Sequence, residues 1–297
     1  MVSPTDFGTY LVSGDTDSLL QEGYEAVASS SDVQLQRSAL AALGQLPDDR
    51  RVFPILLKAM ENEALAGDAL LALAGVKDSR GLFAAINLYK QSQDPSLHQR
   101  VLQYIHATGD PRAVEFLTSD VIGKNEALDD VARSAYHAVT TRDDHFRYRF
   151  VGRESLYADA SQVTGQIMVT ARNLDANARL IENEEPKPQT YVIPAVSKMM
   201  FVGGTIHEHV LVAGGEDVLA AGEIRFQRGD DGLWHVEYVN NRSNGYLPGW
   251  QSFGAVREFF EGHTDVKLEK DRFDEAFPKH GYNDGDFLAL QPFGKNP

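Results

Sequence analysis

The first half of the chain repeats itself, and this repeat limits the possible folds more than any other feature of the sequence. Three segments each contain an apolar helical stretch, a short polar turn and the start of a second apolar helix. Each turn carries Asp-x-Arg, at Asp48 and Arg50, Asp78 and Arg80, and Asp110 and Arg112. Periods of about 20 to 50 residues are typical of repeat arrays, because one two-helix unit cannot bury its apolar face alone.

The residue chemistry of the turns supports this prediction. An aspartate at a turn accepts hydrogen bonds from the free N–H groups that begin the next helix. Pro111 follows Asp110 at the first helical position, where the missing N–H costs nothing. A fourth, incomplete copy is predicted to end at Asp144, and a half-copy over Asp17–Ala28 is predicted to cap the start of the array.

Two roles are open for the Asp-x-Arg series. In the structural interpretation, which we favour, the aspartates cap helices and the arginines stack on neighbouring repeats or pair with the aspartate of the preceding turn. In the functional interpretation, the arginines form a ladder that binds an acidic ligand.

The period of about 30 residues with LG-x-x-x-D-x-R resembles the HEAT-like repeats that also occur in phycobilin lyases. The resemblance covers roughly residues 30–145. It implies an α-solenoid, and it implies no single activity, because lyases, scaffolds and inhibitors all use this repeat.

The pattern changes after Val139, and period-2 alternation of apolar residues begins near residue 161. Predicted strands are Val163–Val169, Tyr191–Val196, His207–Ala213, Val218–Gln227 and Leu233–Val239. Ser252–Glu261 is predicted to be an amphipathic helix with Ser252 as its N-cap, and Asp271–Phe277 a short helix. The predicted fold is therefore multidomain, α and α+β: a HEAT-like α-solenoid over 1–145, a linker or last helix over 146–160, and an antiparallel-sheet α+β domain over 161–297.

About 50 residues of the second half are similar to a domain that recurs in bacterial effector and polymorphic-toxin-associated proteins. The matching positions are His207 or His209, Gly215, Val218, Ala221, Gly222, Glu223, Asn241, Ser243, Tyr246 and Pro248. The chain departs from that pattern at Asn244-Gly245, where Gly-His is usual. The resemblance implies a fold unit and a toxin-associated neighbourhood, and no reaction.

Histidine and carboxylate side chains are the main candidates for site chemistry, because the chain has no cysteine. If residues 207–213 form a strand, His207 and His209 share one face, and Glu223 would complete a metal site. The alternative, which we favour, is that both histidines are ordinary hydrogen-bonded side chains and that no metal or other cofactor binds. An enzyme site would use Glu223 and Tyr246.

The turn after the predicted strand Leu233–Val239 is the candidate ligand-binding loop, since loops on a rigid sheet commonly carry function. Its polar residues are Asn241, Arg242, Ser243 and Tyr246. The structural alternative is that Asn and Gly serve the turn while Tyr246 seals the end of the sheet.

The net charge of the chain limits the classes of partner that it can bind. With 43 acidic and 28 basic residues the net charge is -15, which argues against nucleic acid and anionic membranes. The first residues show no secretory signal, so we expect a cytoplasmic protein. We therefore expect a protein-interaction scaffold or an immunity- or antitoxin-like protein that binds another protein. The net negative charge favours a basic protein as this partner. The alternative is an enzyme or a metal- or small-ligand-binding protein with its site around His207, His209, Glu223 and Tyr246.

Overall fold

The computed structural model describes residues 3–46, 49–141, 146–152, 154–160, 162, 164–182, 188–268 and 273–274. Contacts between Cα atoms divide the chain into two units. The described residues up to 141 belong to the first unit, and those from 146 onward belong to the second. The first unit is helical, and the second contains a mixed sheet.

Helices and short helical turns make up the first unit. The helices are α1 (Pro4–Ser13), α2 (Thr16–Ser29), α3 (Val33–Leu43), α4 (Val52–Met60), α5 (Glu63–Gly75), α6 (Leu82–Gln91), α7 (Pro95–Thr108), α8 (Val114–Phe116) and α9 (Glu126–Thr140). Two 3₁₀ turns, Ser79–Gly81 and Pro111–Ala113, lead into α6 and α8, and a π-helical turn at Leu117–Val121 follows α8.

The helices of this unit lie in two rows. One row contains α1, α3, α5, α7 and α9, each packed against the next. The other contains α2 and α4, then α6 with its 3₁₀ turn, and then α8, whose Phe116 ring contacts Tyr89 of α6. Each predicted helix–turn–helix segment therefore contributes one helix to each row, and the leucines at equivalent repeat positions, Leu40, Leu70 and Leu102, are fully buried. The predicted half-copy over Asp17–Ala28 lies within α2, and Asp144 lies outside the described residues.

Close contact between α3 and α5 requires glycine at both helix ends. A Cβ atom on Gly75 would lie 2.5 Å from the carbonyl oxygen of Gly44, and one on Gly44 would lie 2.8 Å from the Cα atom of Ala72. Distances this short are not compatible with a side chain. The glycine of the repeat pattern is thus explained by helix packing in these two copies.

In the second unit, the described residues 146–152 include Tyr148, which forms an isolated antiparallel bridge with Val218. Helices and strands follow this segment. Its helices are α10 (Glu154–Ala160), α11 (Ala171–Ala176), α12 (Ala178–Ile181), α13 (His209–Val212) and α14 (Phe253–Gly262). Its strands are β1 (Ile167–Met168), β2 (Gln189–Pro194), β3 (Phe201–Val202), β4 (Val218–Arg228), β5 (Trp234–Asn240), β6 (Lys267–Leu268) and β7 (Phe273–Asp274).

The sheet has the strand order β1-β3-β2-β4-β5-β6, and β7 also pairs with β5. The pairs from β1 to β5 are antiparallel, whereas β6 and β7 run parallel to β5. The prediction of an antiparallel sheet is therefore wrong at this edge. Parallel neighbours need a crossover connection, and α14 lies in the crossover between β5 and β6.

Several predicted elements are confirmed with small shifts in their ends. The long hairpin is β4 and β5, Tyr191–Val196 corresponds to β2, and Ser252–Glu261 corresponds to α14. Ser252 lies in a 3₁₀ turn and makes no side-chain cap, so its predicted capping role is wrong. β1 is only the end of the predicted strand Val163–Val169, and Val163 lies outside the described residues. Phe273–Asp274 is a strand inside the predicted helix Asp271–Phe277, whose other residues are not described.

The predicted strand His207–Ala213 is wrong, because this segment contains the helix α13. A short apolar run with alternate valines does not distinguish a strand from a buried helical turn. Here both Val210 and Val212 are buried although they lie two residues apart on the helix. Gly214 and Gly215 follow with φ of 63° and 82°, a conformation that ends the helix and is favoured by glycine.

The two faces of the sheet differ. On the first face, sheet residues such as Ile224 and Phe226 pack against Leu174, Val256 and Phe259 of α11 and α14. On the second face, a smaller apolar cluster covers only part of the sheet, and its members are Tyr148, Phe150, Ala160, Val192, Val210, Val212, Ala213, Val218, Ala221 and Tyr246. Residues 146–160, predicted to be a linker or last helix, thus contribute Tyr148, Phe150 and Ala160 to this cluster.

Candidate functional site

The turn at Asp78 contains a buried ion pair. The Asp78 carboxylate accepts a hydrogen bond from the backbone N–H of Arg80 at 3.0 Å, which caps the 3₁₀ turn. The same carboxylate accepts bonds from Nε and Nη2 of the Arg80 guanidinium at 3.0 and 2.6 Å. The two side chains are only 3% and 4% exposed. This two-point geometry suits a planar guanidinium and leaves few donors for a ligand.

The turn at Asp110 repeats this geometry. Asp110 accepts the backbone N–H of Arg112 at 3.0 Å, and Nε and Nη2 of the guanidinium lie 2.9 and 2.5 Å from its two oxygens. The side chains are 0% and 5% exposed. Both arginines are therefore enclosed within the first unit.

Each of these arginines also contacts an aromatic ring from the preceding repeat. The guanidinium carbon of Arg80 lies 4.1 Å from the centre of the Phe53 ring, and that of Arg112 lies 5.2 Å from the centre of the Phe83 ring. Phe53 and Phe83 stand three residues after Arg50 and Arg80. The repeat therefore includes D-x-R-x-x-F in two copies, a periodic phenylalanine that the sequence analysis missed.

The structure describes only part of the first turn. Asp48 lies outside the described residues, and Arg50 is half-buried with its carbonyl oxygen 3.4 Å from Nη2 of Arg80. Arg51, the next residue, makes a two-point pair: it donates to both carboxylate oxygens of Asp49 and also to Asp17. The repeat alignment contains Asp48 and Arg50, and it did not predict the pair between Asp49 and Arg51.

A second series of capping residues was also missed by the sequence analysis. The side chains of Asp32, Asn62, Asp94 and Asn125 accept hydrogen bonds from backbone N–H groups at the starts of α3, α5, α7 and α9. Their spacings of 30, 32 and 31 residues match the period of the Asp-x-Arg series. A search for capping residues at the same period would have found them.

In the second unit, a row of polar side chains crosses the second face of the sheet. Thr190 on β2 lies directly opposite Glu223 on β4. Asn240 on β5 continues the register of the β4–β5 pair and so lies opposite Glu223 on its other side. Such neighbours share a face of the sheet. The Asn240 amide accepts the backbone N–H of Glu223 at 2.9 Å and donates to Glu223 Oε2 at 3.0 Å. Asn240, which was not predicted, therefore orients the predicted Glu223.

His209 lies beside this row. Its Nε2 atom is 3.0 Å from the carbonyl oxygen of Gly222. A carbonyl can only accept, so Nε2 carries the proton of a neutral imidazole and Nδ1 holds the lone pair. Burial lowers the pKa of His209 to about 4, although the Gly222 carbonyl and the Glu223 carboxylate act in the opposite direction.

The two histidines of the predicted pair do not share a strand face. His207 is exposed and precedes α13, and its backbone carbonyl accepts a hydrogen bond from the Thr190 hydroxyl at 2.9 Å. Within the described part of the chain, no group of three or more histidine, aspartate and glutamate side chains could hold a metal ion. The strand that would have aligned His207, His209 and Glu223 is absent, and this geometry was the basis of the alternative metal site.

The predicted ligand-binding loop is occupied by internal contacts. Asn241 donates from Nδ2 to the carbonyl oxygen of Pro248 at 3.0 Å, and the Tyr246 hydroxyl donates to the carbonyl of Glu216 at 2.7 Å. Ser243 is buried, and its Oγ atom lies 3.4 Å from the backbone nitrogen of Tyr246. Arg242 is the exposed member of the set. These contacts correspond to the structural alternative for the loop.

Comparison with protein-family models, with curated proteins and with solved structures found no match for the chain. Among the residues that the structure describes, none of the helices has the length and apolar character of a membrane span.

We expect Asp110→Asn to destabilise the protein by about 3–5 kcal/mol, because it leaves the buried Arg112 guanidinium without its carboxylate. The matched control is Asp49→Asn in the same kind of pair. Arg51 is 60% exposed, so the control should cost less than about 1 kcal/mol. Urea unfolding of the full chain measures both, and equal losses would show that burial of the pair is not decisive.

His209 should make the protein sensitive to mild acid. Its folded pKa of about 4 lies below the ordinary value of 6.5, so between these pH values the unfolded chain takes up a proton that the folded chain does not. Stability is therefore lost as the pH falls through this window, by up to about 3 kcal/mol for this residue. Urea unfolding from pH 7 to pH 4.5 should give a smaller loss for His209→Gln, and an unchanged pH profile would contradict the assignment.

Proposed function

We propose that the protein is a non-enzymatic interaction protein, in which a HEAT-like helical array in the first unit binds a basic protein partner. The observation that carries the proposal is the stacking of Arg80 on Phe53 and of Arg112 on Phe83. In these contacts the arginine side chain packs against the preceding repeat, so its role is structural. Nearest-neighbour coupling of this kind is the basis of arrays that offer an extended binding surface.

The binding surface in this proposal is the exposed side of α3, α5, α7 and α9, which we call the α3–α9 face. Arg37 on α3 and Arg100 on α7 both pair with Asp68 on α5, at 3.0 and 3.7 Å. Leu71, one turn after Asp68, is 43% exposed. Gln103, one turn after Arg100, is also exposed. An exposed apolar side chain with polar neighbours is a suitable centre for a protein contact.

Charge supports a basic partner. The described residues of the first unit include 18 Asp and Glu and 11 Lys and Arg. The two buried pairs remove equal numbers of each sign, so 16 acidic and 9 basic side chains remain. An acidic surface speeds the encounter with a basic partner and disfavours nucleic acid. A cytoplasmic immunity- or antitoxin-like protein that neutralises a basic toxin is the specific form of the proposal, which the likeness of the second unit to toxin-associated domains favours.

Site-specific photo-crosslinking of the full chain tests the proposal. A photoreactive phenylalanine at Leu71 should capture one basic protein from the native host at physiological salt, with capture falling steeply at higher salt. The matched control is the same group at Tyr24 on α2, which is 56% exposed in the other row. Capture of no protein, or of the same proteins from both positions, would contradict the proposal.

A second candidate function is small-ligand binding or catalysis on the second face of the sheet. The observation that favours it is the hydrogen bond that Asn240 Nδ2 donates to Glu223 Oε2. In the described part of the chain Glu223 Oε1 makes no hydrogen bond, and His209 beside it is neutral with a free lone pair. A carboxylate held at one oxygen can accept a hydrogen bond or a proton from a ligand at the other.

Thermal-shift screening of metabolites against the full chain tests this second candidate. A ligand at 100 times its Kd raises the free energy of unfolding by about 2.7 kcal/mol, and Glu223→Gln should remove the resulting increase in Tm. Glu237→Gln is the control, because the side chain of Glu237 on β5 is partly exposed and pairs with Arg225. If no metabolite raises the Tm of the wild-type chain, or if both variants respond equally, the site around Glu223 is not a ligand site.

A further inference from the structure

A groove lies between α7 and α9 on the α3–α9 face. Its volume is about 340 Å³, and it is lined by Gln103, His106, Asp130, Val131 and Ser134. Gln103 and His106 are one turn apart on α7, and Asp130 and Ser134 are one turn apart on α9. Residues at these spacings lie on the same side of a helix, so four polar side chains line the groove from its two walls.

The polar side chains of the groove are not engaged elsewhere. In the described part of the chain, Gln103, His106, Asp130 and Ser134 make no side-chain hydrogen bond and no ion pair. Nearby carboxylates behave differently: Asp68 pairs with two arginines, and Asp129 pairs with Arg133 and accepts the backbone N–H of Gly123. Asp130 is thus a carboxylate beside the groove, and it makes no ion pair in the described part of the chain.

We propose that this groove binds an arginine side chain of the partner, an inference that rests on the proposed function of the α3–α9 face. The volume is at the lower end of the range of roughly 300–1,000 Å³ for ligand pockets, which suits one side chain rather than a large ligand. A guanidinium has five donors spread in a plane, and the groove presents a carboxylate, an amide oxygen, a hydroxyl and an imidazole around one space. Val131 supplies an apolar contact for the stem of the arginine.

The test uses the isotope-labelled full chain and N-acetyl-arginine N-methylamide as the probe. Titration followed by amide NMR should give saturable shifts centred on His106 and Asp130. The lysine and citrulline analogues should bind at least ten-fold more weakly, because the first lacks the planar donor set and the second lacks the charge. Asp130→Asn should weaken binding of the arginine probe at least ten-fold, and Gln103→Glu should strengthen it.

The matched control is Glu25→Gln, which removes the same charge from an exposed position on α2 in the other row. It should leave probe binding unchanged, and circular dichroism of each variant checks that it is folded. Shifts that avoid the groove, equal binding of the lysine analogue, or unchanged affinity in Asp130→Asn would each overturn the arginine site. If Leu71 still captures a basic partner in that case, the proposed function stands and only this site fails.

Discussion

The buried Asp–Arg pair at each inner turn, with its arginine over a phenylalanine of the preceding repeat, is the contact on which the helical unit depends. Aspartate alone would cap a turn, and arginine alone would be a costly buried charge. Together they satisfy each other and the backbone, and the flat guanidinium then faces the ring of Phe53 or Phe83. The Tyr104 hydroxyl adds to this core by donating to the Asp78 carbonyl at 2.7 Å. One short segment therefore begins a helix, pairs internally and joins two repeats.

Internal hydrogen bonds and ion pairs also determine which polar side chains remain available to bind a ligand or a partner. At Asp78 and Asp110 the conspicuous charges of the repeat lie inside, and at the 241–248 turn the amide, hydroxyl and phenol groups bond to neighbouring backbone. The groups left open are less regular in the sequence: Asp130 and Gln103 beside a groove of the first unit, and Glu223 held by Asn240 in the second. The polar residues of these turns make internal contacts, and Asp130, Gln103 and Glu223, which lie outside them, are the candidates for binding.

In the second unit, the row of polar side chains on the second face of the sheet lies where the apolar cluster does not cover that face. Aromatic residues of the segment before α10 and the valines of α13 cover only one part of the second face, around Val192 and Ala221. The adjacent positions on the same face are Thr190, Glu223 and Asn240. Gly222 matters here, because a Cβ atom at this position would lie 2.0 Å from the backbone oxygen of Asn240. The close approach of β4 and β5 brings Asn240 to Glu223.

Local physical chemistry in the sequence was sufficient for the helix–turn–helix period, the caps at Asp78 and Asp110, the β4–β5 hairpin and α14. Each depends on residues close together in the chain, whose spacing determines capping, alternation or amphipathicity. Tertiary structure decided the rest. It paired Asp49 with Arg51, placed arginines over distant phenylalanines, made 209–212 a helix and added parallel strands to the edge of the sheet. It also brought Asn240 to Glu223 and left Asp130 facing a groove, because both depend on contacts between residues that no local pattern connects.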